Sequence, residues 1–466
     1  MQSPDQILTA RQMREAEDRL IEAGTGVDAL MQRAGRGAAQ WVWRLSGGHA
    51  VTVLAGPGNN GGDGYVIAQA ILERGGKVAV VAAKAPATDA ARAARALYTG
   101  PVLGPDDALP RGEVFVDCLF GSGLSRPLES PHVDLLQRLA ASHRKAIAID
   151  LPSGVATDSG LVLNEGLLDY RLTLALGAWK FAHFLMPACA RMGALRLVPI
   201  GVEPVREAAQ RIARPTISGP SAHVHKYTRG LLAVVGGAMP GAAILASTAA
   251  QGAGAGYVKL FAESKRNCPP DLVVETGPVS ELLADHRNAA VLIGPGLGRD
   301  AAAREKLAVA LADPVPLVLD ADALVLLGPR LLAERTAPLI ATPHEGELVA
   351  LERAFDCGEG ATRVERARAL ARASGMVVVA KGPDTVIAGP DGRLACAPRA
   401  SAWLSTAGTG DVLAGAIASR AATGCDPFAA ACQGVWLHGE AARLCPPAFT
   451  ASQLAQALPA ALAACL

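Results

Sequence analysis

The chain has 466 residues, half of them hydrophobic, and a formal net charge of +1. That length suits two or three domains of roughly 100–200 residues each. That charge gives no bulk electrostatic claim on nucleic acid or acidic lipid, so an anionic ligand must be held by local donors.

Thr9 and Gln12 form a capping-box pattern ahead of a helix with Met13, Ala16 and Leu20 on one face. A second helix is expected over 28–43, with Leu30, Met31, Ala34, Ala38 and Trp41 as its apolar stripe. Short apolar runs then alternate with helical stretches: 51–54, 78–83, 114–116, 146–149 and 172–176. Such runs between helices describe a buried parallel sheet. Residues 203–228 carry charge, Pro215 and a Ser218-Gly219-Pro220 turn, and read as a linker. A second series follows at 231–235, 257–260, 291–293, 317–319, 339–340 and 377–379. The stretch from Gly230 to Val258 has no charged residue and is long enough to span a bilayer. Its glycines and Met239-Pro240-Gly241 punctuate it as strand, loop and helix instead. The nine cysteines include no C-x-x-C pair and no zinc spacing, which points to reduced thiols in a cytoplasmic protein. The N-terminus has no apolar signal core.

Ligands of open parallel sheets bind beyond the C-terminal strand ends. Glycine and acidic residues recur there in both halves, which predicts two sites. After the first long run comes Ala55-Gly56-Pro57-Gly58-Asn59-Asn60-Gly61-Gly62-Asp63-Gly64. Gly56, Gly58 and Gly61 satisfy G-x-G-x-x-G, a weak signal alone. The next run ends Ala82-Ala83-Lys84-Ala85 without the acid a nicotinamide dehydrogenase uses on ribose; an NADP variant would have to use Lys84. Asn59, Asn60, Asp117 and Ser153 offer oxygens suited to a hard cation. Taken singly, each also reads as an Asx turn or helix cap.

The segments NNGGDG (59–64), VDCLFGSGL (116–124) and IDLPSGV (149–155), in this order, resemble the signatures of the NAD(P)H-hydrate epimerase domain. The resemblance implies potassium held by Asn60, Asp117 and Ser153. It also implies dinucleotide contacts from Asn59, Asn60, Gly61, Gly62, Asp63, Gly121, Ser122, Gly123, Leu124, Ser125, Arg126, Pro127 and Asp150. Asp150 is the candidate acid/base, with a cap at the strand-to-loop turn as its bland alternative.

In the second half, Ala407-Gly408-Thr409-Gly410-Asp411 is a small-residue loop entering a helix. Backbone N–H groups there can hold phosphate, and Asp411 can take a proton from an attacking hydroxyl. An Asp in a first helical turn is also favoured by the dipole alone. The loop resembles the G-x-G-D signature of ribokinase-like kinases. Within them, His225-Lys226, GGAMPGAA (236–243), GPGLG (294–298), TPHEGE (342–347) and AKGPDTVI (380–387) resemble the NAD(P)H-hydrate dehydratase domain. That assigns substrate to Ala242, Gly296, Gly298, His344 and Asp411. It assigns the nucleotide to Lys381, Gly382, Pro383, Asp384, Thr385 and Gly410. Ala407 and Tyr227 stand where glycine is typical.

The implied architecture is α/β: a Rossmann-like three-layer αβα domain over 1–215 and a ribokinase-like α/β domain over 223–466. The implied substrates are NADHX and NADPHX, in which water has added across C5–C6 of the dihydronicotinamide ring. The first domain would interconvert the R and S epimers. The second would dehydrate the S form with magnesium and ADP, giving AMP, or with ATP. Asp150 and Asp411 would be the catalytic residues. A homo-oligomer without nucleic-acid or membrane partners is expected. The competing readings are a ribokinase-like kinase for a vitamin precursor or small alcohol, and an N-terminal half that is a binding or scaffold module.

Overall fold

The computed structural model describes residues 5–265, 268–358 and 360–466. The chain forms two compact units, Met1–Arg211 and Ile212–Leu466. The strands of the first are β1 Gln6–Leu8, β2 Val51–Ala55, β3 Val78–Ala82, β4 Val102–Leu103, β5 Gly112–Cys118, β6 His143–Ile149, β7 Leu172–Leu176, β8 Trp179–Lys180, β9 Ala194–Val198 and β10 Ala209–Arg211. Its main sheet runs β4-β3-β2-β5-β6-β7-β9 with every neighbouring pair parallel. Strand β2 is buried along its whole length because helices cover both faces. Val51 and Val53 pack with the helices Val27–Ser46 and Asn59–Glu73. Leu54, on the opposite pleat, packs with the helix Ser130–Ala141. Three layers result.

Thr9 and Gln12 make the expected capping box, each side chain accepting from the other's backbone N–H. The linker reading of 203–228 needs correction. Strand β10 lies inside it, pairing antiparallel with β1, and Arg211 bonds Asp5 through backbone and side chain. A three-residue strand has too little apolar content to mark itself in a charged stretch. Strands β4, β8 and β9 were missed for similar reasons; β9 alternates exposure along its length.

The second unit contains β11 Leu231–Val235, β12 Tyr257–Phe261, β13 Val273–Glu275, β14 Asn288–Ile293, β15 Leu317–Leu319, β16 Leu339–Ala341, β17 Val377–Ala380, β18 Val386–Ala388 and β19 Leu394–Cys396. The order is β13-β12-β11-β14-β15-β16-β17-β18-β19. The pairs from β13 to β17 are parallel, and β18 and β19 add antiparallel. The charge-free stretch resolves into β11, the helix Pro240–Gly252 and the start of β12. Among the described residues, no helix is long and apolar enough to cross a membrane. Among the described residues, no cysteine pair forms a disulfide.

The helix Thr409–Ala422 lies against the helix Pro240–Gly252. The approach depends on Gly415: a Cβ there would stand 2.1 Å from the Ala246 carbonyl oxygen, which is backbone and cannot rotate away. Gly415→Ala should therefore destabilise the chain by about 1–3 kcal/mol through overpacking. The check is the urea midpoint of the full chain, and an unmoved midpoint would contradict this account.

Candidate active sites

At the first sheet's switch point, the loop after β2 crosses the turn after β5. A Cβ on Gly56 would fall 1.8 Å from the Leu119 carbonyl oxygen, and one on Gly61 1.9 Å from that of Gly56. Gly62 faces Met31. These glycines let the head of the helix Asn59–Glu73, which no side chain caps, meet the Leu119–Gly121 turn. Asn60 and Asp150 then converge: the Oδ1 of Asn60 and the Oδ2 of Asp150 each lie 3.2 Å from where a Gly121 Cβ would be.

Asp150 follows β6 with φ of 64°, a left-handed conformation that strains a non-glycine residue. Its surroundings hold it there. Oδ1 accepts from Lys180 Nζ at 2.5 Å and Leu176 N–H at 3.3 Å, and Oδ2 accepts from Ser122 N–H at 3.0 Å. Lys180 is fully buried and also donates to the Leu176 carbonyl. His183 Nε2 donates to the Asp150 carbonyl while its Nδ1 accepts from Lys180 N–H. Burial alone would raise the Asp150 carboxyl, but Lys180 outweighs it and holds the group below its ordinary range. Burial pushes His183 down to about 4, so the ring is neutral. Asp63 is buried and rises well above its usual value, through desolvation first and then the charges of Asp150 and Glu17. Glu17, on the helix Ala10–Glu22, is raised by burial and feels Lys180 and Asp150.

Of the three expected potassium ligands, two meet directly. Asp117 accepts from Ser153 Oγ at 2.7 Å, Ser153 N–H at 3.0 Å, Leu119 N–H at 3.1 Å and the Tyr170 hydroxyl at 2.6 Å. Asn60, the third, has neither amide atom paired although both are buried. A buried amide oxygen without a partner is costly, and a cation would satisfy it. Among the described residues, no group of three or more His, Cys, Asp or Glu is arranged for a metal. Asn59 bonds the Thr88 hydroxyl and lines a groove of about 420 Å³ with Gly26, Asp28 and Asp89. Leu124 closes a turn onto Gly121, while Gly123, Ser125, Arg126 and Pro127 are exposed.

The second unit repeats the crossing. A Cβ on Gly237 would lie 2.1 Å from the Leu297 carbonyl oxygen, and one on Gly296 2.2 Å from that of Met239 and 3.1 Å from the Ala242 Cβ. The loops after β11 and β14 are thus laced together, with Ala242 and Gly296 side by side. Gly298 N–H donates to Asp322, which also holds Arg299. Asp320 is buried and accepts from Thr342 Oγ1 at 2.7 Å and Lys381 Nζ at 2.6 Å. That lysine lies 3.6 Å from where a Gly410 Cβ would be. Asp411 stands in the first turn of the helix Thr409–Ala422. Burial first, then the charge of Asp320, raises it to about 6, against the pull of Lys381. His438, neutral with its value lowered by burial to about 4, bonds the Thr409 carbonyl.

His344 caps the helix Glu345–Ala354: its Nδ1 accepts from Gly346 and Glu347 N–H, and Glu347 accepts from His344 N–H. Nε2 faces Glu347 at 3.3 Å. In the expected nucleotide loop, Gly382 and Pro383 are exposed, and Thr385 closes a turn with Gly382. Asp384 turns inward onto Arg363, which also holds the Lys381 carbonyl.

A family model described as YjeF-related protein N-terminus matches residues 27–182, and one described as NAD(P)H-hydrate dehydratase matches 232–463. The bifunctional NAD(P)H-hydrate repair enzyme Nnr of Gloeobacter violaceus is 34% identical, covering 93% of this chain and 92% of its own. The chain belongs to the bifunctional NAD(P)H-hydrate repair enzymes. Its counterpart in Salinibacter ruber is 32% identical over 94% of this chain and 91% of its own. A crystal structure of the ADP/ATP-dependent NAD(P)H-hydrate dehydratase of Bacillus subtilis, co-crystallized with ATP/Mg2+, is 28% identical with a TM-score of 0.46, covering 54% of this chain and 95% of that one.

Several residues of this repair-enzyme chain escaped the sequence reading. Lys180, His183, Glu17 and Tyr170 reach the first site. Lys180 sits in an apolar stretch, Gly177-Ala178-Trp179-Lys180-Phe181, where a lone lysine is the one available signal. Its removal leaves a buried carboxylate unpaired. Lys180→Met should cost about 3–5 kcal/mol at neutral pH, with Asp150→Asn on top recovering part. Because the folded Asp150 value is depressed, its contribution is present above the unfolded value of roughly 3.9 and lost as pH falls through the folded one. Urea unfolding of the single and double variants checks the order; a neutral Lys180→Met would refute the pairing.

Proposed function

We propose that this chain repairs both epimers of hydrated NADH and NADPH. The first unit interconverts R and S at C6; the second dehydrates the S form using ADP or ATP. The observation that carries the reading is alignment along 93% of the chain with a bifunctional repair enzyme. Both candidate catalytic carboxylates, Asp150 after β6 and Asp411 in the first turn of the helix Thr409–Ala422, stand within this chain.

In the first unit, Asp150 is the base: Lys180 holds it ionised and Ser122 N–H aims it. Asp63, whose carboxyl is pushed well above its usual range by burial, is a nearby proton source. Two carboxyls pushed apart in acidity divide base and acid roles. Epimerisation then needs opening and reclosing at C6 with these proton transfers. Asn60, Asp117 and Ser153 would hold potassium. The unpaired Asn60 amide oxygen fits that role, and the ion would supply fixed positive charge beside the substrate loop.

In the second unit, Asp411 takes the proton of the C6 hydroxyl as its oxygen attacks the terminal phosphorus of ADP and AMP leaves. The ring nitrogen lone pair then expels phosphate, and loss of a proton from C5 restores the double bond. Lys381, anchored by Asp320, places a cation beside Gly410, and the helix start adds N–H donors. Glu347 is engaged in the His344 cap and, among the described residues, no carboxylate group is arranged to cage magnesium, so the nucleotide phosphates would carry the ion. Its charge would offset theirs.

The test is mixed-epimer NADHX with magnesium and ADP or ATP, following recovery of dihydronicotinamide absorbance. Full recovery supports both activities; recovery that stops at the S epimer demotes the first unit to a binding module. No recovery, with a phosphorylated product instead, restores the kinase reading.

Asp411→Asn should lower dehydration by about 10²–10⁴-fold and leave epimerisation intact. In the wild type the dehydration rate should climb with pH through about 6, since only the ionised form accepts the proton. A rate flat from acid to neutral pH would remove Asp411 as the base.

A further inference from the structure

Trp403 is a large aromatic side chain left 51% exposed. It stands on the one-turn helix Ala402–Leu404, just ahead of the phosphate loop. The turn is well tied. Ser401 Oγ accepts from Trp403 N–H at 3.3 Å, and the Trp403 carbonyl accepts from Thr406 Oγ1 at 3.0 Å. Thr409 Oγ1 donates to the Leu404 carbonyl at 2.8 Å and to that of Thr406 at 2.9 Å. Thr409 opens the helix that carries Asp411, so indole and catalytic carboxylate ride on one connected piece.

Its side of the site is also defined. Leu404 packs into an apolar cluster with Leu245 and Val412. Leu245 belongs to the helix Pro240–Gly252, whose head carries Ala242 and Met239, the latter 58% exposed. That is the β11 side, where the dinucleotide is assigned. The nucleotide loop 381–385 instead joins β17 to β18 and approaches from the opposite side, meeting the loop at Gly410 through Lys381, whereas Gly408 and Leu404 lie against Leu245. An exposed indole beside a nucleotide-sized substrate offers a flat face for a base, and base stacking on an aromatic side chain is a substantial, sequence-tolerant contact. The hydrated nicotinamide ring has tetrahedral C5 and C6 and is no longer flat. Adenine is the one fully aromatic ring of the substrate.

We propose that Trp403 is the stacking platform for the adenine of the dinucleotide substrate at the dehydratase site. This rests on the dehydratase reading above. Energy gained at this remote base would orient the C6 hydroxyl toward Asp411.

The experiment is steady-state dehydration with (S)-NADHX and ADP varied separately, for the wild type, Trp403→Ala and Trp403→Phe. Trp403→Ala should raise KM for (S)-NADHX about tenfold and hold KM for ADP within about twofold; Trp403→Phe should keep most of the affinity. The urea midpoint should not move, because the side chain is half in water. An unmoved KM for (S)-NADHX overturns the proposal. So does a rise confined to ADP, which would give the platform to the donor, or a joint rise with a lowered midpoint, which would make the residue structural. A wild type that cannot turn over (S)-NADHX overturns the dehydratase reading and this inference with it; an active wild type with an unmoved Trp403→Ala overturns this inference alone.

Discussion

Both sites depend on backbone meeting backbone at a switch point. In the first unit Gly56 lies against the Leu119 carbonyl; in the second Gly237 lies against that of Leu297. The connections from the two adjacent parallel strands leave in opposite directions at these points, and in each unit the two following loops meet in backbone contact. A single Cβ at either glycine would force the loops apart. Asn60 would then leave Gly121 and Asp150, and Ala242 would leave Gly296. The same small-residue requirement extends to Gly415, which lets the Asp411 helix settle on its neighbour.

Beneath each crossing lies a buried carboxylate paired with a lysine: Asp150 with Lys180, and Asp320 with Lys381. Such pairs contribute little net stability, because desolvation consumes much of the attraction. Their effect here is positional. Each unit also stores strain next to its pair: Asp150 at φ 64° and Ala321 at φ 46°. Backbone of this kind persists where surrounding bonds over-determine it, as Lys180, His183 and Ser122 do around Asp150. The second pair differs in use. Its lysine faces Gly410 while its aspartate acts on Asp411 through space, so one ion pair bears on both the glycine loop and Asp411.

Environment divides the acids by task. Asp150 is as buried as Asp63, yet a lysine holds one below its ordinary range while desolvation pushes the other well above it. Asp411, without a direct cation, sits at about 6, near the operating range of a general base. The residue type is the same three times; the neighbours decide the chemistry.

The sequence by itself determined the two α/β halves and the strand-end loops. Continuous apolar runs can mean little else when helices alternate with them, as β2, β6, β7, β11 and β17 show. It also marked Asn60, Asp117, Asp150, Ser153 and Asp411, because glycine-rich and acidic loops are local patterns. Tertiary structure alone decided what stands beside them. Lys180 lies 30 positions from Asp150, and Asp320 lies 61 from Lys381, so no local spacing announces either pair. Three-residue strands such as β10 and β18 were equally silent, since their stability comes from partners and not from their own composition. Likewise the imidazole of His344 became a helix cap and Asp384 turned onto Arg363: a side chain's partners are fixed by where the sheet brings distant loops, a long-range consequence of packing that periodicity cannot encode.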